Sequence, residues 1–122
     1  MENKKSILLV DDDSANLMEL IHILKPDYKL YAVGNGASAL EKANKSVPDL
    51  ILLDVIMPDM SGFEVLSELK KSDTTKSIPV IFITGLNKKD DEDEGFSLGA
   101  VDYIHKPLDP EVVKQKVNRI LM

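Results

Sequence analysis

Leu50-Ile-Leu-Leu-Asp54-Val-Ile-Met-Pro58-Asp-Met-Ser-Gly62-Phe-Glu-Val-Leu-Ser-Glu-Leu-Lys70-Lys71 carries two periodicities joined by a turn. The run Leu50–Asp54 is strand-sized and apolar until its last residue, as expected of a strand covered on both faces. Gly62–Lys71 then sets Phe63, Val65, Leu66 and Leu69 on one side and Glu64, Glu68, Lys70 and Lys71 on a solvated one, the pattern of an amphipathic helix. Strand followed by helix is one βα unit. A single carboxylate, Asp54, closes the strand just before the turn.

The same alternation continues in both directions. Ser6–Val10, Lys29–Val33, Val80–Thr84 and the shorter Tyr103–His105 read as further strands. Ser14–Leu24 reads as a helix with Leu17, Leu20, Ile21 and Leu24 on one face, Asp13 or Ser14 at its N-cap and Pro26 ending it. A second helix is expected over about Ala37–Lys45, entered through Asn35-Gly36, with Ala39, Leu40 and Ala43 inward and Pro48 as its stop. Asn87–Leu98 is a weaker helix, because the acids Asp90–Glu94 precede its apolar positions Phe96 and Leu98; acids in a first turn suit the helix dipole. Pro110–Leu121 closes the chain, with Pro110 at the helix start and Val112, Val113, Val117, Ile120 and Leu121 as its stripe. Five βα units in succession imply an α/β fold with a parallel sheet and helices on both faces.

With 122 residues, 43% of them hydrophobic and 30% charged, the chain suits one globular domain over 1–122. No apolar run approaches the roughly 18 residues of a membrane span, and no signal segment is evident, so a cytoplasmic location is expected. Absence of cysteine excludes a disulfide framework, a thiolate nucleophile and a sulfur metal site. Any metal must sit on oxygen or imidazole. The formal charge of −6, from 21 acids against 15 bases without a basic stripe, argues against direct nucleic-acid binding.

Three features fall at the carboxyl ends of expected strands, where open α/β sheets bind their ligands. They are Asp11-Asp12-Asp13 after the first strand, Asp54 after the third, and Thr84 with Lys106 after the fourth and fifth. If the first and third strands are neighbours, the acids converge. At about 4 Å two like charges cost roughly 1 kcal/mol in water and about 4 at an effective dielectric of 20, so a cation belongs there. A hard divalent ion such as Mg²⁺ on one or two carboxylates meets that need, with Lys106 as a further charge. A carboxylate beside a hard cation, a lysine and a hydroxyl is the equipment for an aspartyl-phosphate.

At these residues the chain resembles the receiver domain of two-component response regulators. The resemblance runs from Val10-Asp11-Asp12 through Asp54, Met57-Pro58 and Gly62 to Thr84-Gly85, Gly99-Ala100, Asp102-Tyr103 and Lys106-Pro107. It implies a flavodoxin-like (βα)5 fold with a five-stranded parallel sheet of order 2-1-3-4-5 and a cis Lys106-Pro107 peptide. Asp54 would accept a phosphoryl group from a sensor histidine kinase or phosphotransfer protein. Asp11 and Asp12 would hold Mg²⁺, Asp12 more directly, together with Asp54 and the backbone carbonyl of Ile56. Lys106 would contact the phosphoryl group, Thr84 would swing toward it, and Tyr103 would turn inward as the readout. The switched face of the fourth helix, fifth strand and fifth helix would meet an effector domain, a downstream protein or a second copy. Gly85 and Leu108 stand where Ala and Phe are frequent in that family.

Taken singly, each feature has an ordinary explanation: an acidic triplet is usually a solvated loop or a cap, and N-capping is the expected task of Asp13. The acids at 90–94 lack the spacing of a calcium loop, and His22 and His105 have no second histidine at ligand spacing. A haloacid-dehalogenase-like phosphatase could use Asp11 and Asp13 as its paired acids, but it would leave Asp54 idle. A flavodoxin would need a neutral phosphate loop where this chain has three acids. Ile56 and Leu86, two residues beyond Asp54 and Thr84, are expected to flank the phosphoryl group and to keep water from it.

Overall fold

The computed structural model describes residues 4–85 and 89–122. Strands β1 (Ser6–Val10), β2 (Lys29–Val33), β3 (Leu50–Asp54), β4 (Val80–Thr84) and β5 (Asp102–His105) alternate with helices α1 (Ser14–Leu24), α2 (Gly36–Ser46), α3 (Gly62–Lys71), α4 (Lys89–Leu98) and α5 (Pro110–Leu121). All pairings are parallel, in the order β2-β1-β3-β4-β5, as the resemblance implied. Asn87, expected in α4, lies outside the described residues, and α4 is seen from Lys89.

Alternation along each strand divides the interior into two cores. Leu8, Val10, Ile51, Leu53, Val80, Phe82 and Tyr103 face α2, α3 and α4, where they meet Ala39, Ala43, Val65, Leu66 and Leu69. Ile7, Leu9, Leu50, Leu52, Ile81, Ile83 and Ile104 face α1 and α5, where they meet Leu20, Leu24, Val113 and Val117. Full burial of such a side chain contributes about 1.5–3 kcal/mol relative to exposure. β3 and β4 are buried along their whole length, whereas the edge strand β2 is not. Helix α1 buries Leu20, Ile23 and Leu24, while Leu17 and Ile21 are only partly covered, so its inner stripe is rotated from the expected one.

Caps set the helix starts. Asp13 accepts a hydrogen bond from the Ala15 N–H at 2.8 Å and caps α1. Asn35 accepts from Ser38 N–H, which begins α2 at Gly36, one residue earlier than expected. Ser61 and Glu64 form a reciprocal capping box on α3. Asp59 accepts from the Gly36 N–H, so the β3–α3 loop is tied to the start of α2. β5 begins at Asp102 because Asp102 pairs with Ile81 of β4.

At Gly62 a close approach of backbone to backbone requires glycine. A β-carbon on Gly62 would stand 2.3 Å from the Asp54 carbonyl oxygen and 2.9 Å from Val55 Cα, and both are backbone atoms that cannot rotate away. The Gly62 N–H also donates to the Val55 carbonyl at 2.7 Å, which folds the start of α3 back onto the end of β3. Gly85 has no atom within 4 Å of such a β-carbon. Gly62→Ala is therefore expected to lose about 1–3 kcal/mol of stability in urea unfolding. Gly85→Ala should stay within about 0.5 kcal/mol; equal losses in the two variants would contradict this account of Gly62.

Candidate functional site

Parallel pairing brings all five carboxyl ends to one edge of the sheet. Val10 is in register with Leu53, so Asp11, the next residue of the first strand's path, stands beside Asp54. Asp54 pairs with Ile83, which puts Thr84 one step beyond it on β4. Thr84 pairs with His105, and the Lys106 N–H donates to the Thr84 carbonyl at 2.9 Å. Lys106 thus leaves the sheet edge two strands from Asp54, a span its long side chain covers. Its Nζ lies 3.4 Å from Asp54 Oδ1 and 3.4 Å from Asp11 Oδ2. The Lys106-Pro107 peptide is cis.

Asp11, Asp12 and Asp54 each place a carboxylate oxygen so that the three lie within 4.8 Å of one another. Asp11 and Asp54 are buried and Asp12 is exposed. The Asp13 N–H donates to Asp11 Oδ1 at 2.9 Å and fixes that carboxylate. Asp11 Oδ2 is buried without a hydrogen bond among the described residues, although it faces Lys106. A buried carboxylate oxygen left this way is costly unless something else meets it. Donors that are all hard oxygens, with one of them unsatisfied, fit a hard divalent cation. Burial first, and then the charge of Asp11, push the Asp54 carboxyl up to about 6, against the opposing pull of Lys106.

The cleft over these groups is about 380 Å³ and is lined by Asp11, Asp12, Asp13, Asn16, Asp54, Ile56, Gly85 and Lys106. Asn16 was missed from sequence, and its only signal was its place one helical turn after Asp13. Asp13 caps α1 at the rim, as expected of it. Ile56 is 61% exposed there. Thr84 and Tyr103 do not form the cleft wall: Thr84 is buried, and Tyr103 is buried on the α4 side of the sheet. A cleft of about 410 Å³ between α2, α3 and α4 has, among the described residues, only the glutamates Glu64, Glu68 and Glu94 as its ionisable lining. Among the described residues it has no lysine or buried carboxylate to support similar chemistry. Among the described residues no helix is long and apolar enough to cross a membrane.

Comparison with known proteins agrees with this geometry. The sequence pattern of the response regulator receiver domain matches residues 7–118. A probable cyclic di-GMP phosphodiesterase of Vibrio cholerae is 42% identical over 113 residues, which is 93% of this chain and 26% of that protein. Protein PilH of Pseudomonas aeruginosa is 34% identical over 94% of this chain and 96% of its own length. The solved structure of the chemotaxis protein CheY4 of Vibrio cholerae superposes with a TM-score of 0.92 at 29% identity, covering 97% of this chain and 99% of the other. The chain therefore spans about a quarter of the phosphodiesterase and nearly all of PilH.

An acid whose folded-state pKa lies above its ordinary 3.8 binds its proton more tightly in the folded chain than in the unfolded one. Ionising Asp54 therefore works against folding, and stability falls as pH rises from 3.8 to about 6. In the presence of a chelator, Asp54→Asn is expected to be more stable than the parent at neutral pH. That advantage should shrink as the pH is lowered through about 6 toward 3.8, as measured by urea unfolding along a pH series. An advantage that stays constant or grows on acidification would contradict the electrostatic account.

Proposed function

The chain belongs to the response regulator receiver domain family, and we propose that residues 1–122 act in the cytoplasm as one such domain, in which Asp54 is the residue phosphorylated. A receiver domain is a phosphoacceptor signalling switch, and receiver domains partner with histidine kinases. The observation that carries the assignment is the meeting of Asp11, Asp12 and Asp54 within 4.8 Å, with Lys106 3.4 Å from both buried acids. The haloacid-dehalogenase-like alternative needs Asp13 free beside Asp11, and its carboxylate instead caps α1.

In the proposed reaction an oxygen of the Asp54 carboxylate attacks the phosphorus of a phosphohistidine. The new O–P bond forms as the N–P bond breaks, and the imidazole leaves with the electron pair. Asp11, Asp12, Asp54 and the Ile56 carbonyl would hold Mg²⁺, which when bound offsets the carboxylate charges and those of the incoming phosphoryl oxygens. The Lys106 ammonium stands against the same acids and would move its contact to a phosphoryl oxygen once Asp54 carries the acyl phosphate. Thr84 at the end of β4 would then turn its hydroxyl toward the group, and Tyr103 on the neighbouring strand would report the change to the face of α4, β5 and α5. That face would meet an effector domain, a downstream protein or a second copy of the chain. Direct contact with nucleic acid is not part of the proposal, because the charge of −6 opposes it.

Asp54→Asn is expected to abolish labelling by acetyl phosphate or by a cognate kinase. Asp12→Asn should weaken Mg²⁺ binding and slow labelling strongly, and labelling of the parent should stop in excess chelator. Full labelling of Asp54→Asn would refute the acceptor assignment.

Ile56 stands exposed at the mouth of the cleft and cannot orient a water for in-line attack on the phosphoryl group. Leu86, expected to act with it, lies outside the described residues. Phosphorylated Asp54 should accordingly persist for many minutes. Ile56→Asn with Leu86→Glu should speed its loss severalfold while leaving phosphorylation intact, as followed by decay of the labelled protein. A native half-life of seconds would sink the idea.

A further inference from the structure

Tyr103 is only 3% exposed, although β5 is an edge strand. Its ring centroid lies 5.5 Å from that of Phe82 on β4 and 5.1 Å from that of Phe96 on α4. Phe82 in turn meets Phe63 of α3 edge-on at 5.2 Å. The row runs from the buried side of α3 outward to Phe96, which is 46% exposed.

The inward seat of the tyrosine depends on what α4 lacks. A β-carbon on Gly95 would lie 1.8 Å from the Tyr103 hydroxyl oxygen, 2.8 Å from its Cζ and 3.0 Å from Phe82 Cδ2. The hydroxyl thus occupies the volume that any other residue at position 95 would fill. Gly95 lies inside a helix, where glycine is the least favourable residue after proline, and its φ is not in the left-handed region. Neither propensity nor backbone conformation accounts for a glycine there, whereas the tyrosine does. Among positions 92–98 of α4, Gly95 alone is buried. Contact of α4 with the sheet along this stretch is therefore centred on the glycine and the ring against it.

We propose that Gly95 is a positioning residue for Tyr103: it forms a slot in α4 that admits the ring, so that the inward tyrosine and the seat of α4 on the sheet are one coupled state. A side chain at 95 would expel the ring or lift the helix. The slot follows from the geometry, and its use in signalling rests on the reading of Tyr103 as the readout of Asp54. Interiors pack closely enough that such a pair has two arrangements and no graded series between them.

The experiment uses the whole chain labelled with 3-fluorotyrosine, the Tyr103 signal being assigned with Tyr103→Phe. In Gly95→Ala the Tyr103 fluorine signal should move toward its solvent-exposed position, while labelling by acetyl phosphate slows by less than about twofold. Beryllofluoride-induced amide shifts across residues 92–109 should lose about half or more of their amplitude. Alanine should lower the melting midpoint in the parent and lower it less in the Tyr103→Phe background, where the closest clash is gone. A Tyr103 signal unchanged in Gly95→Ala, or a midpoint raised by alanine in both backgrounds, would overturn the slot. A ring expelled while beryllofluoride still moves the α4, β5 and α5 face as in the parent would uphold the slot and overturn the switching role of Tyr103.

Discussion

The fold holds two buried carboxylates next to each other against their own repulsion. Asp11 and Asp54 are 1% and 4% exposed, and adjacent parallel strands in fixed register bring them together. The strands are locked by backbone hydrogen bonds and by cores on both faces of the sheet, so the acids cannot relax apart without disturbing β1 and β3. Burial and the charge of Asp11 raise the Asp54 carboxyl, and Lys106 at 3.4 Å from each acid only partly relieves the strain. An oxygen of Asp11 is left without a hydrogen bond among the described residues. The scaffold's stability is thus spent on a site that favours incoming positive charge.

Close approaches support this site from behind. The start of α3 lies so near the Asp54 and Val55 backbone that only glycine fits at 62, and the capping box of Ser61 and Glu64 holds the helix there. Asp59 ties the same loop to α2. The loop after Asp54 is consequently anchored at both ends. On the opposite side of the cleft Gly85 is less confined, since nothing lies within 4 Å of a β-carbon placed on it. Asp54 is thus firmly seated from behind, while the Gly85 position across the cleft is uncrowded.

On the β4 and β5 side, Thr84 and Tyr103 lie between the site and α4. Thr84 and His105 are paired residues, and Tyr103 lies two places before His105 on β5, with its ring pressed between Phe82 and Phe96. Lys116 of α5 donates to the Tyr103 carbonyl at 2.7 Å and to Asp102 at 2.9 Å, so the backbone at the tyrosine is held while its side chain meets α4. Helix α4 is the most weakly amphipathic of the five, with one buried position in 92–98. Along 92–98 little of the helix is therefore buried against the sheet.

Much of this was legible in the residues themselves. The bounds of β1 to β4 match the apolar runs because each run is cut off by an acid, a glycine or a proline, and local patterns of that kind need no tertiary information. β5 lost its first residue to a reading that saw only apolar character, since Asp102 is placed by pairing with Ile81. In α1 the stripe was misjudged at Ile23 for a related reason: the buried face depends on where α5 and the sheet lie, which periodicity alone does not specify. The site residues were named from their places at strand ends and from a family resemblance, but their convergence required that β1 neighbour β3, a fact about strand order. Tertiary structure alone decided the reach of Lys106 to both acids, the unsatisfied Asp11 oxygen, the backbone contact that demands Gly62 and the tyrosine hydroxyl that fills the place of a Gly95 β-carbon. Each of these depends on how separate elements of the fold pack against one another, which no local pattern encodes.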